Sequence, residues 1–203
     1  MIDTGIKFPI PTRNRWTGHC REDVLDITKC ITMLGEDEGR NALILERVVQ
    51  DIKEGHVPLI LSDRVAHNTY LHAELNKMGY NTILLTGATR KKVNWGEVRK
   101  DETVQAVVAT SSIASERLDF PRLSSLHITT PTSNLPKLKQ KVGRIRRVVE
   151  GKLMPVVRDY VDNNAYLIVE DEEGNKKKKF PLRYGSLNRV KFYKKAQKDY
   201  GED

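Results

Sequence analysis

Four residues in the second half of the chain carry the strongest chemical signal: Gln140, Gly143, Arg144 and Arg147. They stand at i, i+3, i+4 and i+7. At about 100° per residue, such positions share one sector of a helix. Leu138, Val142, Ile145 and Val149 fall on the opposite side. The spacing therefore predicts a helix over Leu135–Val149 with its apolar stripe docked inward and its Gln and Arg side chains pointing outward. Two guanidinium groups one turn apart repel each other unless an anion sits between them. Gly143 lets a ligand approach the backbone closely. A phosphate-bearing ligand suits this face, and a solvated basic helix has the same pattern.

The elements that must hold this helix are legible upstream. Val57–Leu61, ending at Ser62, is a short apolar run that reads as a buried strand. Asn81–Leu85, ending at Thr86-Gly87, reads the same way, as do Gln105–Thr110 and Ser125–Thr130. Ile44, Val48 and Ile52 recur at helical spacing before Gly55, and further helices are predicted over His67–Met78 and Trp95–Lys100. Short apolar strands alternating with helices form βαβ units around a parallel sheet. Residues 41–150 thus read as a three-layer α/β domain, in which ligands collect at the carboxyl ends of strands. That directs attention to Ser62, Thr86, Thr110 and Thr130.

The flanks read differently. Residues 1–40 are expected to form an arm or linker with a short helix near Val24–Leu34. Residues 151–203 are expected to form an appendage: strands Pro155–Asp162 and Ala165–Asp171, a hairpin turn at Gly174-Asn175, and a terminal helix Arg189–Tyr200. The acidic string Glu170–Glu173 and the run Lys176–Lys179 should face each other across that hairpin. Tyr184, Phe192, Tyr193 and Tyr200 are spread as side chains that pack the last helix rather than as a stacking platform.

Composition sets the outer bounds. The chain has 203 residues, 38% hydrophobic and 31% charged, with a mean hydropathy of −0.53. That is enough apolar material for a core. No run approaches the roughly 20 apolar residues of a spanning helix, and Met1–Pro11 lacks the basic-then-apolar layout of a signal peptide. Two cysteines, Cys20 and Cys30, fit a reducing compartment. Lys and Arg number 35 against 27 Asp and Glu, a net charge of +8. The excess concentrates between Lys137 and Arg158, where Glu150 is the one acid before the strand carrying Arg158, and it favours a polyanionic partner. No GxxxxGK[ST] or GxGxxG loop occurs, His19-Cys20 and Cys30 lack metal-ligand spacing, and His67 and His72 stand five apart, off a shared helical face. No metal site is expected on this chain.

Gln140-x-x-Gly143-Arg144-x-x-Arg147 matches the QxxGRxxR signature, motif VI, of superfamily 2 helicases. The stretch from Thr110 through Glu116, Leu118, Asp119 and Pro121 resembles motif V, and Leu59–His67 resembles motif IV of the phage-type members. Thr86-Gly87 fits as well, and Arg189–Gly201 resembles the final helix of phage helicases. The motifs come in order across residues 41–150, so the chain resembles the C-terminal RecA-like domain of that superfamily. The resemblance implies a RecA-like parallel sheet with helices on both faces, followed by a hairpin and a helix.

It also implies chemistry. Arg147 would be the arginine finger reaching the γ-phosphate of ATP, with Arg144 assisting. Gln140, Gly143 and Asp119 would sit at the nucleotide, Asp119 at the ribose hydroxyl. Ser62, Arg64, Thr86, Gly87, Thr110 and Ser111 would hold phosphates of a nucleic-acid strand, DNA in preference to RNA. Arg117 stands where motif V has glycine, placing a cation where the family's backbone approaches its ligand. The family's phosphate loop and DExx magnesium site lie in a first domain that these residues do not contain. An N-terminal helicase lobe in trans would therefore hold the magnesium of the ATP, and this chain by itself should show no ATPase. The location implied is cytoplasmic, the host cytoplasm for a phage protein, with no membrane partner. Rival readings are a non-catalytic nucleic-acid-binding module derived from such a lobe, and an interaction module that docks on another ATPase.

Overall fold

The computed structural model describes residues 1–17, 20–89, 93–98, 100–118, 120–147, 149–170 and 173–200. In chain order, β1 (Ile2–Asp3) precedes a hairpin of β2 (Thr12–Thr17) and β3 (Cys20–Leu25). Two helices follow, α1 (Ile27–Glu36) and α2 (Glu38–Lys53). Asp26 caps α1 by accepting from the Lys29 amide at 3.0 Å, and Asp37 caps α2 by accepting from the Arg40 amide at 2.7 Å. The alternating part comprises β4 (Pro58–Ser62), α3 (Val65–Lys77), β5 (Thr82–Leu85), α4 (Trp95–Val98), β6 (Ala106–Thr110), α5 (Ser111–Arg117), β7 (Ser125–Ile128) and α6 (Leu135–Ile145). The chain ends with β8 (Val156–Val161), β9 (Leu167–Glu170), β10 (Lys176–Lys179) and α7 (Pro181–Tyr200).

Six strands form one parallel sheet in the order β1-β8-β7-β4-β6-β5. Strands buried on both faces need apolar residues at every position, as Leu59-Ile60-Leu61 and Ala106–Ala109 supply. Alternation divides the core in two. Leu59, Leu61, Val107, Leu126 and Ile128 pack under α5, α6 and the α7 residues Phe192 and Tyr193. Ile60, Val108 and Tyr160 pack under α2 and α3 through Ile44, Val48, Leu71 and Leu75. This is the three-layer RecA-like arrangement expected, with the hairpin β9–β10 and the helix α7 beyond it.

Several local expectations are corrected. The segment near Val24–Leu34 is a strand end followed by a helix, because the Asp26 cap starts α1 only at Ile27. The strand read at Pro155–Asp162 is β8, which pairs with β7 and β1 inside the main sheet rather than with the following hairpin. Motif V is a strand followed by a seven-residue helix, α5. The basic helix is shorter than its periodicity suggested: α6 stops at Ile145, and Val149 lies beyond it, exposed. The terminal helix begins earlier, at Pro181, whose ring suits a first turn. In the hairpin, Glu170 does stand opposite Lys176, but Lys177, Lys178 and Lys179 face Val169, Ile168 and Leu167. No described helix is long and apolar enough to cross a membrane.

Candidate nucleotide and nucleic-acid site

The register lines up the strand ends that the sequence singled out. Ser62 on β4 is the partner of Thr110 on β6, and Leu85 on β5 partners Ala109, so Thr86 follows on the next strand. Thr130 lies two residues past β7 and accepts the Asp63 amide at 3.0 Å. These ends form one edge of the sheet.

Motifs V and VI meet there. Leu138 and Ile145 of α6 are fully buried, as the apolar stripe requires. Asn134 caps the helix by accepting from the Lys137 amide at 3.0 Å. Lys141, one residue past Gln140, is buried and donates through Nζ to Ser111 Oγ at 3.1 Å. Burial lowers its pKa below the ordinary lysine value. Arg144 is half-buried and donates from Nη1 to the Leu118 carbonyl at 3.0 Å. Lys152 spans the next loop, donating to the carbonyls of Arg147 at 2.7 Å and Pro121 at 3.1 Å. Three cations thus tie the motif VI helix and its exit loop to the start, middle and end of motif V. Arg147 sits just past the helix, exposed, and Gln140 and Gly143 are exposed on α6. Nothing lies within 4 Å of where a Gly143 Cβ would be, so the space in front of that backbone is open. Asp119 and the Arg117 side chain lie outside the described residues.

Motif IV is held from within. Ser62 is fully buried; its Oγ lies 3.0 Å from His67 Nδ1 and accepts the Arg64 amide at 3.1 Å. His67 Nε2 lies 2.8 Å from Asn41 Oδ1, while Asn41 Nδ2 donates to the Gly35 carbonyl. The Asn41 oxygen must accept, so His67 carries its proton on Nε2 and Nδ1 accepts from Ser62. Burial, with the Arg40 charge adding to it, pushes the His67 pKa down to about 4. The Ser62 hydroxyl therefore fixes the Arg64 backbone and does not reach the surface. Arg64 is half-buried and donates through Nη2 to the Thr28 carbonyl at 2.6 Å. Thr86 and Thr110 are buried, Thr86 bonding Thr89 at 3.2 Å and Thr110 lying 3.4 Å from Ser112. Gly87 is exposed with open space before it, and Ser111 is half-buried.

Sequence reasoning missed two buried ionic networks beside this edge. Arg40 and Asp162 are fully buried, Nε to Oδ1 at 2.9 Å, with Arg40 also donating to the Thr129 carbonyl. Asp159 accepts from Arg189 Nε at 2.7 Å and Tyr193 Oη at 2.9 Å, and Arg189 reaches the Thr132 carbonyl before α6 at 2.9 Å. Burial raises the Asp159 pKa despite these partners. The signal for both was present: a strand sequence such as Val-Val-Arg-Asp-Tyr-Val-Asp puts charges where an apolar core strand has none. Among the described residues, no cluster of three His, Cys, Asp or Glu side chains could hold a metal ion. The cations and the open glycine among the described residues suit a triphosphate's anionic oxygens.

Comparison with known proteins agrees with the helicase resemblance. No family model matches the chain. It is 33% identical over 114 residues to a probable helicase of Escherichia phage T5, covering 54% of this chain and 25% of that protein. It is 28% identical over 130 residues to a transcript termination protein of Yaba monkey tumor virus, covering 62% of this chain and 27% of that protein. The crystal structure of T4 UvsW superposes with a TM-score of 0.62 at 16% identity, over 83% of this chain and 35% of that one. The chain is thus similar in sequence to helicases, and its structure fits the C-terminal RecA-like lobe of a superfamily 2 helicase. The lobe spans about a quarter of the length of the curated relatives it matches.

Proposed function

We propose that this lobe closes on a phosphate-loop lobe around ATP, supplies the motif VI arginines to the nucleotide, and passes the resulting movement to a nucleic-acid strand held at its strand ends. The observation that carries this reading is the set of bonds from Lys141, Arg144 and Lys152 to Ser111, Leu118 and Pro121. A nucleotide that displaces α6 or its exit loop must move motif V with it, and motif V begins at the strand end that faces a nucleic-acid backbone. Arg147 acts as the finger: a planar guanidinium neutralises charge that spreads over the oxygens of the transferred phosphoryl group. Arg144 is anchored to the Leu118 carbonyl and holds the geometry between the motifs while adding positive potential. Gln140 and Gly143 line the approach, and Asp119 meets the ribose. Ser111, Gly87 and the backbone at Arg64 position the strand through phosphate contacts that read no bases; Ser62, Thr86 and Thr110 shape those turns from inside. The phosphate-loop lobe carries the magnesium. DNA is the preferred strand, and residues 41–150 form the unit that carries these motifs.

The test is reconstitution. The lobe is mixed with the phosphate-loop lobe of a phage-type helicase and single-stranded DNA, and phosphate release is measured. ATPase is expected in the mixture and in neither part. Arg147→Ala should lower the rate by about 10³-fold or more, the range of arginine fingers. A mixture whose rate is unchanged by Arg147→Ala overturns the assignment.

A further inference from the structure

The hairpin β9–β10 and the first turns of α7 enclose a groove of about 430 Å³ lined by Lys178, Lys179, Phe180, Arg183, Tyr184 and Leu187. Three cations line it and, among the described residues, no acid does. The acidic arm of the hairpin does not neutralise them through the ladder, because Lys178 and Lys179 stand opposite Ile168 and Leu167. Lys178 rests its ammonium 4.1 Å from the centre of the Tyr166 ring, which steadies the cation at the groove without cancelling its charge. Tyr184 is 74% exposed and Leu187 51% exposed. These are large side chains that packing has left at the surface, whereas Phe192 and Tyr193 on the same helix do join the core.

We propose that this groove is a second nucleic-acid contact, taking a single-stranded segment with its phosphates on Lys178, Lys179 and Arg183 and a base stacked on Tyr184. A basic track with an exposed ring beside it is what a sequence-tolerant single-strand site needs, since every base offers a π face. The placement suits a strand leaving the sheet edge. Ser186, two residues past Tyr184, donates to Asn163 at 2.8 Å just beyond β8, and Arg189 bonds the Thr132 carbonyl before α6. The helix that carries the groove is thereby fixed to the same carboxyl-end loops. The groove rests on the proposed function for its place along a bound strand, but it uses none of the motif residues.

Binding of fluorescein-labelled oligo-dT to the full chain, followed by anisotropy across a salt series, tests it. Tyr184→Ala should weaken binding about tenfold, within the range of one base–ring stack, while Tyr184→Phe should bind as the parent does. The triple change Lys178→Ala, Lys179→Ala, Arg183→Ala should flatten the slope of log K against log salt by about two, at roughly 0.7 for each phosphate no longer neutralised. All of these side chains are at the surface or on its rim, and a thermal melt of each variant confirms that it is folded. Arg64→Ala with Gly87→Ala provides the separate arm for the strand-end site. If that pair loses binding and the groove variants do not, the groove proposal is overturned and the function stands. If the groove variants lose binding and the strand-end pair does not, the groove is supported and the strand-end reading fails. Poly-glutamate competing as well as oligo-dT, with Tyr184→Ala neutral, would make the groove a dock for an acidic protein and overturn the proposal.

Discussion

The α2–α3 face of the parallel sheet and the junction of motifs V and VI hold their cations in different ways. Under α2 and α3, buried charges meet other charges. Asp51 accepts from His127 Nε2 at 2.9 Å and from Arg158 Nη2 at 2.8 Å, His127 Nδ1 lies 2.9 Å from the Tyr160 hydroxyl, and Arg40 closes on Asp162. Burial alone would raise the Asp51 pKa, but the hydrogen bonds from His127 and Arg158 outweigh it and hold the carboxylate ionised. Under α5 and α6, Lys141 and Arg144 instead donate to a hydroxyl and a backbone carbonyl. Those two acceptors hold the side chains in place without themselves carrying a negative charge. The first region sets charge against charge, as the Arg189–Asp159 pair does under α7; at the motif junction Lys141 and Arg144 each use a neutral acceptor.

The largest test of this contrast is Arg40→Ala. It leaves Asp162 buried without its cation, and urea unfolding should show a loss of about 3–5 kcal/mol. Replacing both partners by apolar residues, Arg40→Met with Asp162→Leu, should recover much of that loss, because the pair's cost is mainly desolvation. Equal losses for the single and double variants would break the comparison.

The next test is pH. His67 titrates near 6.5 when unfolded and about 4 when folded. Between those values the unfolded chain binds more protons, so stability is complete above about pH 6.5 and falls as pH drops toward 4. The expected loss is about 3 kcal/mol from this group, read from urea midpoints at pH 7 and pH 4. His67→Gln should flatten that part of the curve.

Tyr193→Phe is smaller. It removes one of two donors to Asp159, whose Oδ1 already lacks a hydrogen-bond partner, and should cost about 1 kcal/mol in the same assay. Gly143→Ala is the smallest and has the opposite sign. A methyl at this helical position meets nothing within 4 Å, so stability should rise by about 0.5–1 kcal/mol, while the reconstituted ATPase falls. A rise in both would show that the space before Gly143 serves no ligand.

The parallel sheet and the face of α6 were legible because both rest on periodicity. Runs such as Leu59–Leu61 and Ala106–Ala109 leave a strand few alternatives, and Leu138 with Ile145 marks the buried side of α6. What escaped was decided by long-range pairing. Nothing local in Val156–Val161 says that it joins β7 rather than the next strand. The hairpin of β2 and β3 has polar and charged residues at most positions, so it lacks an apolar alternation to read. Lys141 looked like part of a solvated basic surface, yet its long stem lets the ammonium reach Ser111 from an inward position. The candidate site was therefore visible as a list of residue types, while the bonds joining motif V to motif VI were not.

The outermost strand of the sheet has a practical consequence. Ile2 pairs with Tyr160 and Asp3 with Val161, so β1 waits during synthesis for a neighbour that emerges much later. Assembly must close a loop nearly as long as the whole domain, an entropic cost that grows slowly with length but makes this join a late event. A purification handle placed ahead of Met1 would be threaded against a sheet margin.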